Sequence, residues 1–500
     1  MSDKLSLTVQ TRCGKVQGIV EKNGVSAWLG IPYSQPPVGQ LNFKAPQPLQ
    51  EWDGVYDATK FRAVSPQKTD SLTESMGEEV MSEDCLYLNI WSPKADGKLP
   101  VMFWIHGGGF LNGSGSGPMY QGANIARSGN VVIVTINYRL GPWGFLHLGD
   151  IDKNFDSNIG IRDQIAALTW VKENIAAFGG DPENITIFGE SAGGASVFNL
   201  IGSPVAKGLF QKAIAESPSE GCIYKDPELA TKVARRFLQI LEISESDITG
   251  IKNLPFDVLL TKGDILIEEV IANLPGNIAF QPFIGDEILP VHPLQAVKNG
   301  SGSRVPVIIG FNENEYSIYN VLPMPQLMPI TESKIRMYLQ QNYPEKADQI
   351  YDAYNDMEES ERLLEIGQDL TIISPATQMA RVMLEYISDV YMYYFCWTSD
   401  HLKSLGLGCF HSLEVSFVFN NLNWALMKEV RKGVDEQEIQ NLSKNMQRAW
   451  TNFAHTGNPN HTDDYLWSPY SIVSESVIIF DKEISTGEHP KRKYMKVWTE

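Results

Sequence analysis

The feature that most constrains this chain is the hexapeptide GESAGG at residues 189–194. It lies between an apolar run typical of a buried strand, residues 185–188, and a stretch patterned like a helix. A sharp turn from a strand into a helix can hold a serine in strained backbone geometry with its hydroxyl exposed. Side chains at Gly189 and Gly193 would clash with the strand or with the helix. The pattern therefore predicts that an α/β structure presents Ser191 as a nucleophile.

A glycine run, HGGGF at residues 106–110, follows a second apolar run at residues 101–105. In an acyl transfer the substrate carbonyl becomes an oxyanion, and backbone N–H groups must already point at it. Consecutive glycines let the main chain approach that closely. We therefore predict an oxyanion hole formed by Gly108 and Gly109, with the N–H of Ala192 as a third donor.

A serine nucleophile needs a base and an acid that orients it. In hydrolases that use this turn, the acid follows the serine and the histidine follows the acid. Glu315, after the apolar run 305–310, and His411, after the aromatic run 391–397, lie in predicted loops and have this order. From the residues alone, Glu313 remains an alternative acid. The other histidines that follow Glu315 have polar neighbours and are expected to be exposed: His401, His455, His461 and His489.

Nearly the whole chain resembles the type-B carboxylesterases, which include the cholinesterases and the bacterial p-nitrobenzyl esterases. The resemblance implies an α/β-hydrolase fold and hydrolysis of carboxylic esters through an acyl-enzyme, without a metal or a cofactor. The segments that carry it, besides the two glycine motifs, are residues 30–33, 36–39, 83–89, 137–141, 158–160, 163–170, 178–182, 450–454 and 457–459.

The same resemblance implies the choice of acid and base. The family acid falls on Glu315 rather than Glu313, and the family histidine begins a His-x-x-Glu-x-x-Phe-x-Phe stretch that starts at His411. The implied triad is Ser191–His411–Glu315. Ser217 matches a family serine that supports the triad residues without reacting itself. We expect Glu190 to support the triad in the same way.

Three residues depart from the family pattern. Tyr316 and Pro218 stand where the family has glycine, so the backbone is expected to differ there, which puts the role of Ser217 in doubt. Asn42 replaces an arginine that pairs with the glutamate at Glu83, and the loss of that single ion pair is expected to affect stability only modestly.

Composition predicts the compartment. The chain has five cysteines with no metal-ligand or disulfide-framework spacing, which favours a reducing cytoplasm. Ser65 stands where secreted relatives have a bridging cysteine. The first 20 residues lack the apolar stretch of a signal peptide, and no segment approaches ~20 consecutive apolar residues, so we expect neither a signal peptide nor a membrane span.

A net charge of −19 argues against nucleic-acid and membrane partners. The expected partner is a small-molecule ester, and the expected state is a monomer or a weak homo-oligomer. Strand-like runs such as residues 131–134 alternate with helical segments such as residues 164–177, which predicts a mainly parallel sheet with helices on both faces. Because the predicted site residues span the chain without a linker, we expect a single domain, residues 1–500, with large insertions forming a gorge over Ser191.

Substrate choice is less constrained. Phe110, Met119, Tyr120, Phe311 and Met324 lie near the predicted gorge, where most of them are expected to serve packing. An amidase, a thioesterase or an acyltransferase would use the same residues. A non-catalytic binding protein is a remote alternative, because relatives of that kind typically lack a triad member.

Overall fold

The computed structural model describes residues 7–68, 79–219, 223–321, 329–460 and 466–499. Its strands are β1 (Leu7–Gln10), β2 (Lys15–Val20), β3 (Ser26–Pro32), β4 (Val55–Asp57), β5 (Tyr87–Ser92), β6 (Leu99–Ile105), β7 (Val132–Ile136), β8 (Gly180–Glu190), β9 (Lys212–Glu216), β10 (Val307–Asn312), β11 (Val390–Phe395), β12 (Ser476–Phe480) and β13 (Ser485–Glu488).

The α-helices of the described ranges follow the same chain order. They are α1 (Ala123–Gly129), α2 (Gly141–Phe145), α3 (Ile159–Asn174), α4 (Ala192–Gly202), α5 (Pro227–Ile240), α6 (Phe256–Asn273), α7 (Pro293–Asn299), α8 (Ile318–Val321), α9 (Glu332–Asn342), α10 (Ala347–Asp352), α11 (Glu359–Gln368), α12 (Ser374–Leu384), α13 (Asp400–Ser404), α14 (Val415–Phe419), α15 (Ala425–Val430), α16 (Glu436–Thr456) and α17 (Arg492–Thr499). Short 3₁₀ segments cover Gly39–Leu41, Pro118–Tyr120, Ile175–Phe178 and Glu245–Asn253, and a π-helical turn covers Asp369–Ile373.

The strands form one sheet in the order β1-β2-β3-β5-β7-β6-β8-β9-β10-β11-β12-β13, with β4 beside β2. Neighbours from β7 to β12 run parallel. Antiparallel pairing is confined to the flanks, among β1, β2, β3, β5 and β7 on one side and between β12 and β13 on the other. The predicted α/β-hydrolase fold with a mainly parallel central sheet is confirmed.

Strand β6 illustrates how the sheet divides the core. All seven of its residues are buried. Val101 and Phe103 belong to one apolar cluster, which includes much of α3 and α4, whereas Met102 and Trp104 belong to a second cluster that includes much of α16. Because successive strand side chains point to opposite faces, a strand covered by helices on both faces reads as a continuous apolar run.

A buried ion pair anchors the segment between β7 and α3. Asp163 accepts hydrogen bonds from Arg139 through Nε at 2.8 Å, Nη2 at 2.6 Å and the backbone N at 3.1 Å. The two side chains are 2% and 0% exposed. Gly141, two residues after the arginine, donates its N–H to the carbonyl of Phe110 at 2.8 Å, which ties this segment to the glycine run.

We expect Asp163→Ala to lower the free energy of unfolding by about 3–5 kcal/mol, because it leaves the Arg139 guanidinium buried without its counter-charge. Urea denaturation followed by circular dichroism measures the change. The matched control is Glu173→Ala, which breaks an exposed ion pair with Arg12 and is expected to change stability little. Equal effects of the two substitutions would contradict the expectation.

Asn42 shows what replaces the absent family ion pair. Its Nδ2 donates to Oε1 of Glu83 at 2.7 Å, and Trp143 Nε1 donates to the same oxygen at 3.1 Å. Two neutral donors thus satisfy a carboxylate oxygen that an arginine would otherwise hold.

Within the described ranges, no helix combines the length and the apolarity that crossing a bilayer requires.

Candidate active site

The predicted site residues follow strands of the parallel centre of the sheet. β8 ends at Glu190, directly before Ser191, and β6 ends at Ile105, directly before the glycine run. Glu315 comes three residues after the end of β10. Neighbouring parallel strands end at the same edge of a sheet, where open α/β sheets bind their ligands.

Ser191 occupies a strained backbone position, with φ 58° and ψ −122°. A Cβ added to Gly189 would lie 2.6 Å from the carbonyl oxygen of Ile105, and one added to Gly193 would lie even closer to the same atom. The two glycines thus let α4 pass against β6, which confirms the predicted reason for them. Ala192 is buried at the first turn of α4, where backbone N–H groups lack partners within the helix.

The glycine run folds back on itself beside this turn. Gly108 and Gly109 have φ values of 98° and 61°, a region that favours glycine. The carbonyl of Gly108 accepts hydrogen bonds from the N–H groups of Leu111 at 3.0 Å and Asn112 at 3.1 Å. Both glycines border the same cavity as Ser191.

The structure brings the predicted acid and base into contact. Oε2 of Glu315 lies 2.5 Å from Nδ1 of His411. The other oxygen of this buried carboxylate accepts hydrogen bonds from Ser217 Oγ and from the backbone N of Asn312, both at 2.7 Å. The histidine borders the cavity together with Ser191.

Reciprocal hydrogen bonds hold the loop of the acid against the loop of the histidine. The backbone N of Asn314 donates to the carbonyl of Cys409, and the backbone N of Cys409 donates to Asn314 Oδ1, both at 3.0 Å. Asn312 Nδ2 donates to the carbonyl of Phe410 at 2.9 Å. These two asparagines fix the spacing between Glu315 and the ring that it contacts.

The departures from the family glycines leave the contact of Ser217 intact. Ser217 itself takes the left-handed backbone conformation, with φ 43°. Pro218 and Tyr316 lie outside that region, so neither carries the strain that a positive φ would impose. The hydroxyl of the buried Tyr316 forms a hydrogen bond with Thr371 Oγ1 in the π-helical turn. Ser217 therefore reaches Glu315 despite both substitutions.

Glu190 contacts the second ring nitrogen of the histidine. Its Oε1 lies 3.1 Å from Nε2 of His411 and accepts a hydrogen bond from Ser412 Oγ at 2.6 Å. Burial alone lowers the pKa of His411, but the carboxylates of Glu190 and Glu315 outweigh it and raise the pKa to about 10. The ring therefore lies between two carboxylates, an arrangement that favours the imidazolium. The place of Glu190 beside Ser191 in the sequence predicts a supporting role, but this contact with His411 is visible only in the structure.

Glu313, the alternative acid, has other hydrogen-bond partners. Glu313 accepts a hydrogen bond from Tyr394 Oη at 3.0 Å, and its backbone carbonyl accepts one from Gln368 Nε2 at 3.2 Å. The contact between Glu315 and His411 thus supports the acid that the family pattern implied.

The other histidines lie elsewhere. His455 is exposed, as expected, and His401 is half-buried beside Glu429. The expectation for His489 is wrong, because its side chain is buried against the ring of Phe311, and burial lowers its pKa to about 3. His461 lies outside the described residues.

A cavity of about 870 Å³ opens over Ser191. Of the residues expected near the gorge, Met119 and Tyr120 border this cavity, whereas Phe110 and Phe311 are buried in the core. Met324 lies outside the described residues. Helix α6 forms an extended wall of the cavity, and its apolar residues at helical spacing predict core packing equally well from the sequence.

Comparison with known proteins places these features in a family. The family model described as the carboxylesterase family matches residues 5–498. The chain is 40% identical to the para-nitrobenzyl esterase of Bacillus subtilis, covering 97% of this chain and 96% of that one. It is 32% identical to the phenmedipham hydrolase of Pseudarthrobacter oxydans, covering 95% and 94%.

Solved structures agree. A thermophilic PNB esterase superposes with a TM-score of 0.89 at 39% identity, covering 98% of this chain and 99% of that one. A carboxylesterase of Geobacillus stearothermophilus superposes with a TM-score of 0.82 at 35% identity, covering 98% and 100%. The chain therefore belongs to the carboxylesterase family and is a serine carboxylesterase.

Proposed function

We propose that Ser191 is the nucleophile of this esterase, His411 its general base and Glu315 the acid that orients the base. The observation that carries the proposal is the 2.5 Å contact between Glu315 Oε2 and His411 Nδ1, at a cavity that Ser191 also borders. The strained backbone of Ser191 adds support, because strain in a folded protein persists only where the surrounding structure enforces it.

The proposed mechanism has two halves. His411 takes the proton of the Ser191 hydroxyl as its oxygen attacks the ester carbonyl, and Glu315 stabilises the imidazolium that forms. The N–H groups of Gly108, Gly109 and Ala192 hold the oxyanion. Collapse of the tetrahedral intermediate breaks the bond to the alcohol, which takes the proton from the histidine and leaves an acyl-serine. Water then attacks the acyl-serine by the same steps, which releases the acid.

Two further residues act through the triad in this proposal. The hydroxyl of Ser217 holds one oxygen of Glu315, which leaves the other oxygen for His411. Glu190 lies on the opposite side of the ring and adds a second negative charge beside the imidazolium.

Covalent labelling tests the nucleophile. The protein is incubated with a fluorophosphonate, which phosphonylates activated serines, and the labelled residue is identified by mass spectrometry of the digested chain. We expect the label on Ser191, together with loss of p-nitrophenyl butyrate hydrolysis in proportion to labelling. A label on another serine that abolishes turnover would overturn the assignment.

The pH dependence tests Glu190. A general base must be neutral, so kcat/KM is expected to rise with pH as His411 loses its proton. Glu190→Gln removes one of the negative charges that raise the pKa of His411, so this pKa falls and the acidic limb moves to lower pH, by about 1–3 units. The plateau at high pH is expected to fall as well, because the imidazolium of the transition state loses a counter-charge.

Ser412→Ala is the matched control for this substitution. It removes the hydrogen bond from Ser412 Oγ to Glu190 but leaves the charge, so the acidic limb is expected to keep its place. An acidic limb that stays in place in Glu190→Gln, or moves to higher pH, would contradict the proposed electrostatic role.

We further propose that the whole chain folds as one domain and that it acts in the cytoplasm. Its proposed substrates are small-molecule esters, and its proposed state is a monomer or a weak homo-oligomer. Four free cysteines in the described ranges support a reducing compartment: Cys13, Cys85, Cys396 and Cys409. The Bacillus subtilis relative is named for p-nitrobenzyl esters, and a cavity of about 870 Å³ has room for a benzylic ester of that kind. Analytical ultracentrifugation tests the oligomeric state.

A further inference from the structure

Helix α6 borders the cavity along most of its length. Four of its residues, Leu259, Gly263, Ile267 and Ile271, follow one another at intervals of four and form an apolar row on the cavity wall. Positions four apart lie on one face of a helix. At a rise of 1.5 Å per residue, the row extends for about 18 Å.

The row runs from a closed end to an open end. Leu259 and Gly263 are buried, whereas Ile267 and Ile271 are half-buried. A second row of the same helix also borders the cavity, and two of its residues, Glu268 and Ala272, are exposed. The wall therefore leads from solvent at the C-terminal half of α6 to a buried apolar end near Leu259.

The mouth carries charges of both signs. Lys68 forms an ion pair with Asp264 on α6. Glu268 on the same helix and Lys334 on α9 also border the cavity. The formal charges of these four described residues cancel, and the apolar row beside them favours an uncharged hydrocarbon.

Gly263 is the smallest residue of the row and lies near its closed end. A Cβ added there would lie 3.4 Å and 3.7 Å from ring atoms of Phe280, which is fully buried and also borders the cavity. Those are ordinary van der Waals contacts, so the position has room for a Cβ atom. Its glycine leaves space between Leu259 and Ile267 that a larger side chain would fill.

We propose that this row binds an extended, uncharged hydrocarbon arm of the ester and that Gly263 determines how long an arm fits. The inference rests on the proposed function, because the arm matters only for an ester held at Ser191. Burial of each CH₂ group is worth about 0.8 kcal/mol, or about fourfold in kcat/KM when it is realised in the transition state. The preference in kcat/KM for esters with a longer arm is therefore assigned to the apolar row on α6.

Two substrate series test the inference and distinguish which arm occupies the row. One series lengthens the acyl arm, from p-nitrophenyl acetate to p-nitrophenyl decanoate. The other lengthens the alcohol arm, from ethyl acetate to decyl acetate, and is followed by acid release. In the native chain, kcat/KM is expected to rise with length in one of the two series.

In Gly263→Leu the ratio of kcat/KM for the longest to the shortest member of that series is expected to fall about tenfold or more, because the leucine displaces several CH₂ groups. Gly263→Ala is expected to give a smaller fall in the same direction. Thr261→Leu is the control, since it introduces the same leucine side chain at an exposed position of the same helix and is expected to leave the ratio unchanged.

A Gly263→Leu variant that loses the same factor at every length in both series, or a native chain that shows no dependence on length, would overturn the inference. Either result leaves the proposed function standing as long as turnover is lost in Ser191→Ala. Turnover that persists in Ser191→Ala would instead refute the proposed function.

Discussion

Ser191→Ala is expected to reduce kcat for p-nitrophenyl butyrate about a millionfold, because no acyl-enzyme can form without the hydroxyl. Ala at this position keeps the shape of the turn, so circular dichroism and the denaturation midpoint are expected to match those of the native chain. The residual rate measures what the oxyanion hole and substrate positioning achieve by themselves.

The double variant Ser191→Ala/His411→Ala sharpens this expectation. Residues that act as one catalytic unit are not additive, so the double variant is expected to be about as slow as Ser191→Ala alone. Ser196→Ala is the matched control on the same helix, since its buried hydroxyl donates to the carbonyl of Ala192 rather than facing the cavity. A further loss of several orders of magnitude in the double variant would mean that the two residues do not act in one step.

The sequence predicted the elements of the fold and the site that depend on local chemistry. The strand before Ser191 and the helix after it follow from an apolar run, two glycines and a helical pattern within about 20 residues. The strands at β6, β7 and β10 follow from continuous apolar runs, because burial on both faces leaves no polar alternation.

The roles that local sequence chemistry leaves open depend on contacts between distant loops. Glu313 and Glu315 lie two residues apart, and only the family pattern favours Glu315 at the level of the sequence. In the structure, the hydrogen bonds of Asn312 and Asn314 to the loop of the histidine help to place Glu315 against His411. The contact between Glu190 and Nε2 of that ring arises from the same packing. Burial of His489 likewise depends on contacts with distant parts of the chain, which its polar neighbours in the sequence do not reveal.

Glu315→Gln is expected to reduce kcat about 10⁴-fold, comparable to the loss when the acid of a serine triad becomes an amide. The amide is nearly the same size, so Ser217 and Asn312 can keep their hydrogen bonds to its oxygen. Nδ1 of His411, however, then faces an NH₂ group that cannot accept its proton, which favours the wrong tautomer of the ring. Steady-state kinetics with p-nitrophenyl butyrate measures the loss.

Glu313→Gln is the matched control for this substitution, because it makes the same chemical change two residues away, on a carboxylate that accepts from Tyr394. We expect its kcat to stay within a few-fold of the native value. The decisive quantity is the ratio of the two losses, since both variants remove one negative charge from the same loop, and only at Glu315 does the lost charge contact His411. A loss of about 10⁴-fold in Glu313→Gln and a small loss in Glu315→Gln would reverse the assignment of the acid.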